Sequence, residues 1–273
     1  MSAPEFLPGI VDGMPNDVYH QSSALSSSGI KKLLRSPAHY IVEREKSKPP
    51  TESMRIGTAI HTLVLEPHRE HEVVEMPAFN ARSSTERAAR DAWLAEHAGA
   101  QAFDAETITR IRASVAAVRA HPAASALLSD GVAERSGFWR DAAEGIECRL
   151  RMDFHRTDGG IVDLKSCQDA SPEGAARAIG QFQYHVSAAH YWSGCEHLFH
   201  ASPAFWAFVF VETEPPFGVA CYVLDAASLR AGMTLCARAY RSFRQCIESG
   251  RWPGYPETVE SISAPRWALR EVY

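Results

Sequence analysis

The residues best suited to catalysis lie on two short strands near the middle of the chain. Strand-like runs are predicted at about 146–155 and 160–166, with a glycine-rich turn between them. Because side chains two positions apart share one face of a strand, Asp163 and Lys165 point the same way. Pairing of the two strands across the turn would bring Asp153 close to Asp163. The pattern therefore predicts two carboxylates and an ammonium group on one side of a small sheet.

Such a group suits metal-assisted hydrolysis of a phosphodiester. Two neighbouring carboxylates repel each other unless a cation lies between them, and oxygen ligands of this kind select Mg²⁺ or Mn²⁺. The ion would activate water and neutralise charge in the transition state. The site is expected to lower the pKa of Lys165, so that its amine orients or deprotonates the attacking water. Arg149 and Arg151 share the face of Asp153 and are predicted to hold phosphate oxygens.

The same residues also have ordinary structural explanations. D-x-K is common, and Asp163 with Lys165 alone would more often be a surface ion pair. A helix is predicted over about 56–65, where apolar residues follow one stripe and Pro67 ends the pattern. His61 belongs to this helix, and a histidine on an apolar helix face is usually a core residue with satisfied hydrogen bonds. The pattern alone leaves both interpretations open.

The remaining sequence predicts the elements that position these strands. In the second half we expect five strands and two helices, at about 133–140, 146–155, 160–166, 172–193 (helix), 204–212, 217–224 and 226–249 (helix). In the first half, residues 1–22 look irregular, and Ser26 to Ser28 can cap a helix that ends before Pro37. A basic segment ending at Pro49-Pro50 is interpreted as a linker, and two surface helices are predicted at 83–97 and 104–128. These elements indicate an α/β fold with a central mixed sheet of about five strands, flanked by helices and preceded by an N-terminal helical addition.

Length and composition are those of one folded domain. With 273 residues, of which 45% are hydrophobic, the chain can bury a core without disulfides. We expect a single domain over 1–273, with a mainly helical part at 1–130, the sheet core at 131–250 and a tail at 251–273. No run approaches the roughly 18 apolar residues of a membrane span. The N-terminus lacks a signal pattern, so a cytoplasmic protein without a membrane partner is expected.

Charge and cysteine usage exclude some classes of partner and cofactor. The net charge of −5 argues against non-specific coating of nucleic acid but leaves room for a local basic channel. Four of the five lysines cluster near the N-terminus, at 31, 32, 46 and 48, and Lys165 stands alone. None of the six cysteines forms a CxxC pair, so no iron–sulfur cluster or structural zinc site is expected.

Several blocks, in the same order along the chain, resemble the PD-(D/E)XK nuclease superfamily. Within it they are most similar to the RecB-like branch that contains the phage RecE-type exonucleases (exodeoxyribonuclease VIII). The opening helix of that family resembles LSSSGIKKLLRSPAHY, and its histidine-bearing helix resembles MRIGTAIHTLVLEP. Its catalytic strands resemble GIECRLRMDFH and GIVDLKS, and the helix behind its site resembles YHVSAAHYW. Its C-terminal ending resembles RWPGYPE followed by PRW.

The resemblance implies a role for each matching residue. His61, Asp153 and Asp163 would be ligands of Mg²⁺ or Mn²⁺, with the backbone carbonyl of Leu164 as a further candidate ligand. Lys165 would be the catalytic lysine.

Other positions agree with the family only in part. Glu134 begins the first core strand, where relatives often carry an acid. The family has a Gln four residues before a Tyr, and that Gln contacts DNA or water. Here Tyr191 is present but Ser187 occupies the Gln position, and Gln183, one turn earlier, is a candidate substitute. Iron–sulfur relatives carry a Cys where this chain has Ser36, which again indicates no cluster.

The implied activity is hydrolysis of linear double-stranded DNA from an end. Resemblance to the RecE-type enzymes implies 5′→3′ polarity and release of mononucleotides. It also implies a 3′ single-stranded tail for an annealing protein in phage-type recombination, and a ring-shaped homotetramer. Lys31, Lys32 and Arg35 are candidate DNA contacts, although a solvated helix face also explains them. Two alternatives remain: an endonuclease or flap-type nuclease with the same site, and a catalytically silent DNA-binding module of the same fold.

Overall fold

A mixed sheet of six strands forms the centre of the structure. The structure is a computed structural model and describes residues 7–45, 49–80 and 82–264. The strands are β1 (Gly9–Val11), β2 (Val73–Glu75), β3 (Gln101–Phe103), β4 (Gly131–Arg140), β5 (Glu147–Arg156), β6 (Ile161–Cys167), β7 (Trp206–Glu212) and β8 (Val219–Val223). The helices are α1 (Asn16–Gln21), α2 (Ser27–Arg35), α3 (Pro37–Glu45), α4 (Glu52–Leu65), α5 (Ser84–Glu96), α6 (Ala105–Ala120), α7 (Pro122–Leu127), α8 (Pro172–Gln181), α9 (Tyr184–Phe199) and α10 (Ala226–Ser249). A short 3₁₀ helix covers Pro67–Glu72.

The connections along the chain explain the directions of the strands. The sheet order is β1-β4-β5-β6-β7-β8, and β4, β5 and β6 are antiparallel neighbours. In the turn from β5 to β6, Gly159 has a φ of +82°, which glycine adopts without steric cost. Strands β6 and β7 are parallel because α8 and α9 carry the chain back between them. The predicted α/β fold with a helix-flanked mixed sheet is confirmed, and β1 supplies a sixth strand at one edge.

Helices cover both faces of this sheet. Side chains of β7 alternate between the two faces, as the two-residue period of a strand requires. Phe208 and Phe210 pack in the cluster formed with α2, α9 and α10, whereas Val209 and Val211 pack in the cluster formed with α4 and α6. The sheet is therefore buried on both sides, and polar groups along it stand out against an apolar background.

Caps and prolines determine where the predicted helices begin and end. The Ser26 hydroxyl accepts the Gly29 N–H at 3.2 Å, so α2 begins after it, and Ser36 lies just beyond its last residue. The Thr51 hydroxyl caps α4 in the same way, which makes this helix one turn longer than predicted. Helix α10 has the predicted bounds.

Other local predictions are wrong. Residues 1–22 are not irregular throughout, because β1 pairs with β4 and α1 follows it. The stretch before Pro49-Pro50 is not all linker, since α3 lies within it. The helix predicted over 104–128 is broken at His121-Pro122, and its first part, α6, is a core helix whose residues Ile108 and Ile111 are buried. The helix predicted over 172–193 is broken into α8 and α9.

Two further observations concern the limits of the chain. The lysines at 46 and 48 and the PRW block at 265–267 lie outside the described residues. Within the described part, no helix combines the length and apolar character that crossing a membrane requires.

Candidate active site

The candidate site lies where β5 and β6 separate. The pairing of these strands consists of Phe154 with Val162 and His155 with Ile161, and Asp153 and Asp163 come directly after those pairs. Beyond this point a side chain replaces the backbone ladder, because the Asp153 carboxylate accepts the Leu164 N–H at 2.9 Å. The predicted proximity of the two aspartates is therefore present, in a cleft that opens between adjacent strands.

Asp163 and Lys165 form a close ion pair in this cleft. The Lys165 ammonium lies 2.7 Å from the Asp163 carboxylate and 3.9 Å from that of Asp153. Burial, with the Asp153 charge nearby, raises the pKa of Asp163 above its usual range although Lys165 opposes the shift. Burial alone would lower the pKa of Lys165, but the two carboxylates outweigh it and raise that pKa. The predicted lowering of the Lys165 pKa is thus wrong, and the side chain is an ammonium that donates hydrogen bonds.

His61 reaches the same cleft from the opposite side. Its Nε2 lies 2.6 Å from the Leu164 carbonyl oxygen, and its Nδ1 lies 3.7 Å from an Asp153 carboxylate oxygen. A carbonyl can only accept, so Nε2 carries the proton. Burial lowers the pKa of His61, against the opposing pull of Asp153, and favours the neutral ring. In that form, Nδ1 directs a lone pair towards a carboxylate.

The position of α4 explains how His61 gets there. Ile60 and Leu63 are buried against the sheet beside His61. One turn before the histidine, a Cβ at Gly57 would come within 2.9 Å of the Ser166 hydroxyl on β6. The absence of a side chain at Gly57 therefore lets the helix lie close to the catalytic strand.

Glu134, to which the resemblance gives no definite role, also lies in the cleft. Its carboxylate, an atom of His61 and an atom of Asp153 all lie within 4.8 Å of one another. These are one nitrogen and two oxygen donors, a set that suits a divalent cation such as Mg²⁺ or Mn²⁺. Burial, with the Asp153 charge, raises the pKa of Glu134. The donors present therefore fit a divalent ion, although Asp163 is engaged with Lys165.

Arg149 and Arg151 do not join the carboxylates as a phosphate clamp. Arg149 donates to the carbonyl oxygens of Tyr19 and Ser22, and Arg151 donates to the Met14 carbonyl oxygen at 2.8 Å. Both guanidinium groups lie over the Tyr19 ring, at 4.8 and 4.4 Å from its centroid. In this structure they tie the N-terminal segment to the sheet. Their predicted contact with DNA stays untested.

Of the two neighbouring lysines on α2, only one faces the cleft. The Lys31 and Lys165 ammonium groups lie 5.4 and 5.2 Å from the centroid of the same ring, Tyr184. Burial, together with the Lys165 charge, lowers the pKa of Lys31 to about 8. Lys32 instead lies 3.5 Å from Glu43 on α3. The two candidate DNA contacts therefore have different environments.

Helix α9 brings its aromatic residues to the site. Tyr191 is half-buried near Asp153, and its partial burial raises its pKa. Tyr184 was not among the predicted residues, although it precedes Tyr191 by seven positions, the spacing that puts two residues on one helix face. Gln183 lies in the break before α9 with a left-handed backbone (φ +52°), and Ser187 lies one turn into the helix. That Gln183 or Ser187 takes the place of the family glutamine stays a prediction.

Solved structures that match the chain include two that are named as exonucleases. A protein from Eubacterium rectale, provisionally named an exonuclease, is 10% identical with a TM-score of 0.61, over 91% of this chain and 97% of that one. A phage-related exonuclease from Haemophilus somnus 129PT is 10% identical with a TM-score of 0.38, over 84% and 96%. The first likeness supports the fold alone. No curated protein sequence matches the chain significantly.

The family match is more direct. The sequence model of the PDDEXK-like domain of unknown function (DUF3799) matches residues 26–265, a span that contains the whole candidate site. The resemblance to the PD-(D/E)XK superfamily is thereby confirmed. The chain is a member of this PDDEXK-like family. Its nuclease-like domain contains the candidate site in the cleft between β5 and β6.

Proposed function

We propose that the chain is a metal-dependent deoxyribonuclease that degrades linear double-stranded DNA from its ends. One observation carries the proposal: Asp153 and Asp163 lie where β5 and β6 separate, and Lys165 and His61 meet them there. Such a set of acids, ammonium and imidazole in one cleft suits hydrolysis of a phosphodiester.

The residues of the cleft would divide the work. His61 and Asp153, with Asp163 and the Leu164 carbonyl as the further ligands implied by the family, would hold Mg²⁺ or Mn²⁺. When bound, the ion would polarise a phosphate oxygen and lower the pKa of a water molecule. Lys165 remains charged beside Asp163, so it would orient that water or stabilise the negative charge on the phosphate by donating hydrogen bonds.

Features beside the cleft favour a DNA strand as the substrate. An open groove of about 650 Å³ adjoins Lys165 and is lined by Ser166, Tyr184 and Phe182 among others. The rings of Phe182 and Tyr184 stack at 5.6 Å, and Phe182 is 52% exposed. Exposed aromatic rings can stack on bases, and the Lys31 ammonium over Tyr184 can meet a phosphate.

The finer parts of the proposal rest on the family resemblance and on the names of the similar proteins. We propose 5′→3′ polarity, a role in phage-type recombination with a single-strand annealing protein, and a homotetramer in which each chain contributes one domain of residues 1–273. Light scattering on the purified protein measures the last point directly.

The activity is tested with linear duplex DNA that carries a label on the 5′ or the 3′ end of one strand. A 5′→3′ exonuclease releases the 5′ label at once as a mononucleotide, whereas the 3′-labelled strand shortens progressively, in both cases only with Mg²⁺ or Mn²⁺. Asp163→Asn should abolish cleavage, and Asp91→Asn, on exposed α5, should not.

Covalently closed circular DNA separates the alternatives. Cleavage of closed circles would favour the endonuclease or flap-type alternative. Binding to linear DNA without any cleavage would favour the silent module and would overturn the proposal.

A further inference from the structure

Glu134 is half-buried and lacks the contacts that normally accompany a carboxylate in such a site. Among the described residues it forms no ion pair, and no hydrogen bond to its carboxylate is present. The charge that acts most strongly on its pKa is that of Asp153, another acid, and the opposing effect of Arg151 is smaller. A carboxylate that is removed from water costs free energy unless a cation or hydrogen-bond donors compensate. Glu134 therefore lacks a compensating partner in the protein.

The backbone of Glu134 is also unusual. Neighbouring pairs of β4 and β5 are in register, Ala133 with Phe154 and Arg135 with Met152, which places Glu134 opposite Asp153. Glu134 has a φ of +50°, the left-handed region that residues with a Cβ rarely adopt within a strand.

The partner strand is irregular at the same point. Met152 packs in the cluster with α9 and α10, yet Phe154, two residues later, packs in the cluster with α4 and α6. Alternate residues of a regular strand share one face. The regular alternation is thus interrupted on β5 at Asp153 and on β4 at Glu134, which lie opposite each other.

His61, the third member of the group, also presents a lone pair for which no hydrogen-bond donor lies close by among the described residues. With Nε2 donating to the Leu164 carbonyl, the neutral His61 ring presents the Nδ1 lone pair to Asp153 at 3.7 Å. Metal-binding histidines commonly donate their other ring N–H to a carbonyl in this way. In their ionised forms the carboxylates of Glu134 and Asp153 can only accept, as can the Nδ1 lone pair of His61, and a cation between them satisfies all three groups.

We propose that Glu134 is a ligand of the divalent ion, which it holds together with His61 and Asp153. This inference rests on the proposed function and changes its ligand set: Asp163 stays paired with Lys165 until substrate arrives, and Glu134 takes the third side-chain position. Because the set contains an imidazole nitrogen, Mn²⁺ binds more tightly than Mg²⁺.

Calorimetric titration of the DNA-free protein with Mn²⁺ tests this inference without relying on activity. Glu134→Gln keeps the size of the side chain and removes its charge, and we expect it to weaken Mn²⁺ binding by about 10- to 100-fold. Glu66→Gln is the matched control. Glu66 lies within electrostatic reach of Glu134, but its own carboxylate is 2.6 Å from Arg69. It should change the affinity by less than about threefold, since only a distant charge is lost.

Thermal unfolding in EDTA separates ligation from a structural role. A ligand without a partner in the apo protein strains the fold, so Glu134→Gln should melt at the same temperature as wild type or higher. Addition of Mn²⁺ should then raise the melting temperature of wild type and of Glu66→Gln, but hardly that of Glu134→Gln. A Glu134→Gln protein that melts well below wild type in EDTA would overturn the inference, because it would show that the carboxylate supports the fold.

The outcomes also separate this inference from the proposed function. If wild type binds Mn²⁺ and cuts DNA, and Glu134→Gln binds Mn²⁺ equally well, Glu134 is not a ligand and the nuclease proposal stands. If wild type neither binds Mn²⁺ nor cuts DNA, both fail.

Discussion

Two groups of charged residues share the cleft between β5 and β6, and they differ in how their charges are balanced. In one group, the Asp163 carboxylate lies 2.7 Å from the Lys165 ammonium, so the acid has its own cation. In the other, atoms of His61, Glu134 and Asp153 lie within 4.8 Å of one another, and Lys165, which is 3.9 Å from Asp153, is engaged with Asp163. The balanced pair is complete in the folded chain, whereas the second group, on our proposal, takes its cation from solution.

The comparison indicates how the site divides its tasks. Asp153 belongs to both groups, since it lies 3.7 Å from His61 and 3.9 Å from Lys165. A change at Asp153 should therefore disturb ion binding and lysine placement together. Changes confined to one group should separate the two effects.

The largest effect is expected for Asp153→Asn, which removes the shared carboxylate. Hydrolysis of linear duplex DNA should fall by about 100-fold or more, because one ligand and one partner of Lys165 are lost together. Initial rates at saturating Mg²⁺ measure this, with the exposed Asp91→Asn as control. If Asp153→Asn kept near-normal rates, Asp153 would not link the two groups.

Lys165→Gln should break the balanced pair and leave the other group intact. Activity should fall by about 100-fold, while Mn²⁺ binding is retained because no ligand is removed. Since Asp163 would be left buried without its cation, the free energy of unfolding should fall by about 3 kcal/mol. Calorimetry and urea denaturation measure the two quantities. A loss of Mn²⁺ binding as severe as that of Asp153→Asn would mean that the groups are not separable.

A smaller effect is expected from the lysine that borders the balanced pair. Lys31→Ala should weaken DNA binding by about tenfold and reduce its salt dependence by about one phosphate contact. Lys32→Ala is the control, because Lys32 is 3.5 Å from Glu43 and faces away from the cleft. Fluorescence anisotropy at several salt concentrations, with Ca²⁺ in place of Mg²⁺, provides the test. Equal effects of the two substitutions would contradict a specific role for Lys31.

The smallest effect on activity is expected for His190, a buried histidine outside both groups. Its Nε2 donates to the Arg149 carbonyl at 2.9 Å, and its Nδ1 accepts from the Tyr240 hydroxyl at 2.6 Å. Both ring nitrogens are satisfied within the protein, in contrast to Nδ1 of His61, so His190→Gln should leave Mn²⁺ binding unchanged.

His190 should instead affect stability in acid. Burial lowers its pKa from 6.5 to about 4. The unfolded chain therefore binds the proton first, and the stability present above pH 6.5 is lost as the pH falls towards 4. About 2–3 kcal/mol should disappear over this range in wild type, and less in His190→Gln, whose amide can make both bonds without titrating. Identical pH profiles of urea denaturation for the two proteins would refute this.

Features with a strong local period could be predicted from the sequence. Helix α10 follows one amphipathic stripe for 24 residues. Strands β4 to β8 show the alternation or the apolar runs of buried strands. Local sequence therefore suffices to predict their approximate positions. Asp153, Asp163 and Lys165 could be brought together because one turn and the two-residue period suffice to relate them.

Features that depend on distant partners could not be predicted. The three residues of β1 have too short a pattern, and only their pairing with β4 makes them a strand. The partners of Arg149 come from the N-terminal segment, more than a hundred positions away. The position of Glu134 in the cleft depends on a left-handed backbone opposite Asp153, which the residue type alone does not indicate. The raised pKa of Lys165 reflects the summed field of two carboxylates, which requires distances.

A crystal structure of the protein grown with Mn²⁺, with an anomalous difference map collected near the manganese edge, tests the central claim most directly. The account predicts a strong peak between the side chains of His61, Glu134 and Asp153. Coordinates that leave this position empty at saturating Mn²⁺, or a peak only at remote surface carboxylates, would contradict it.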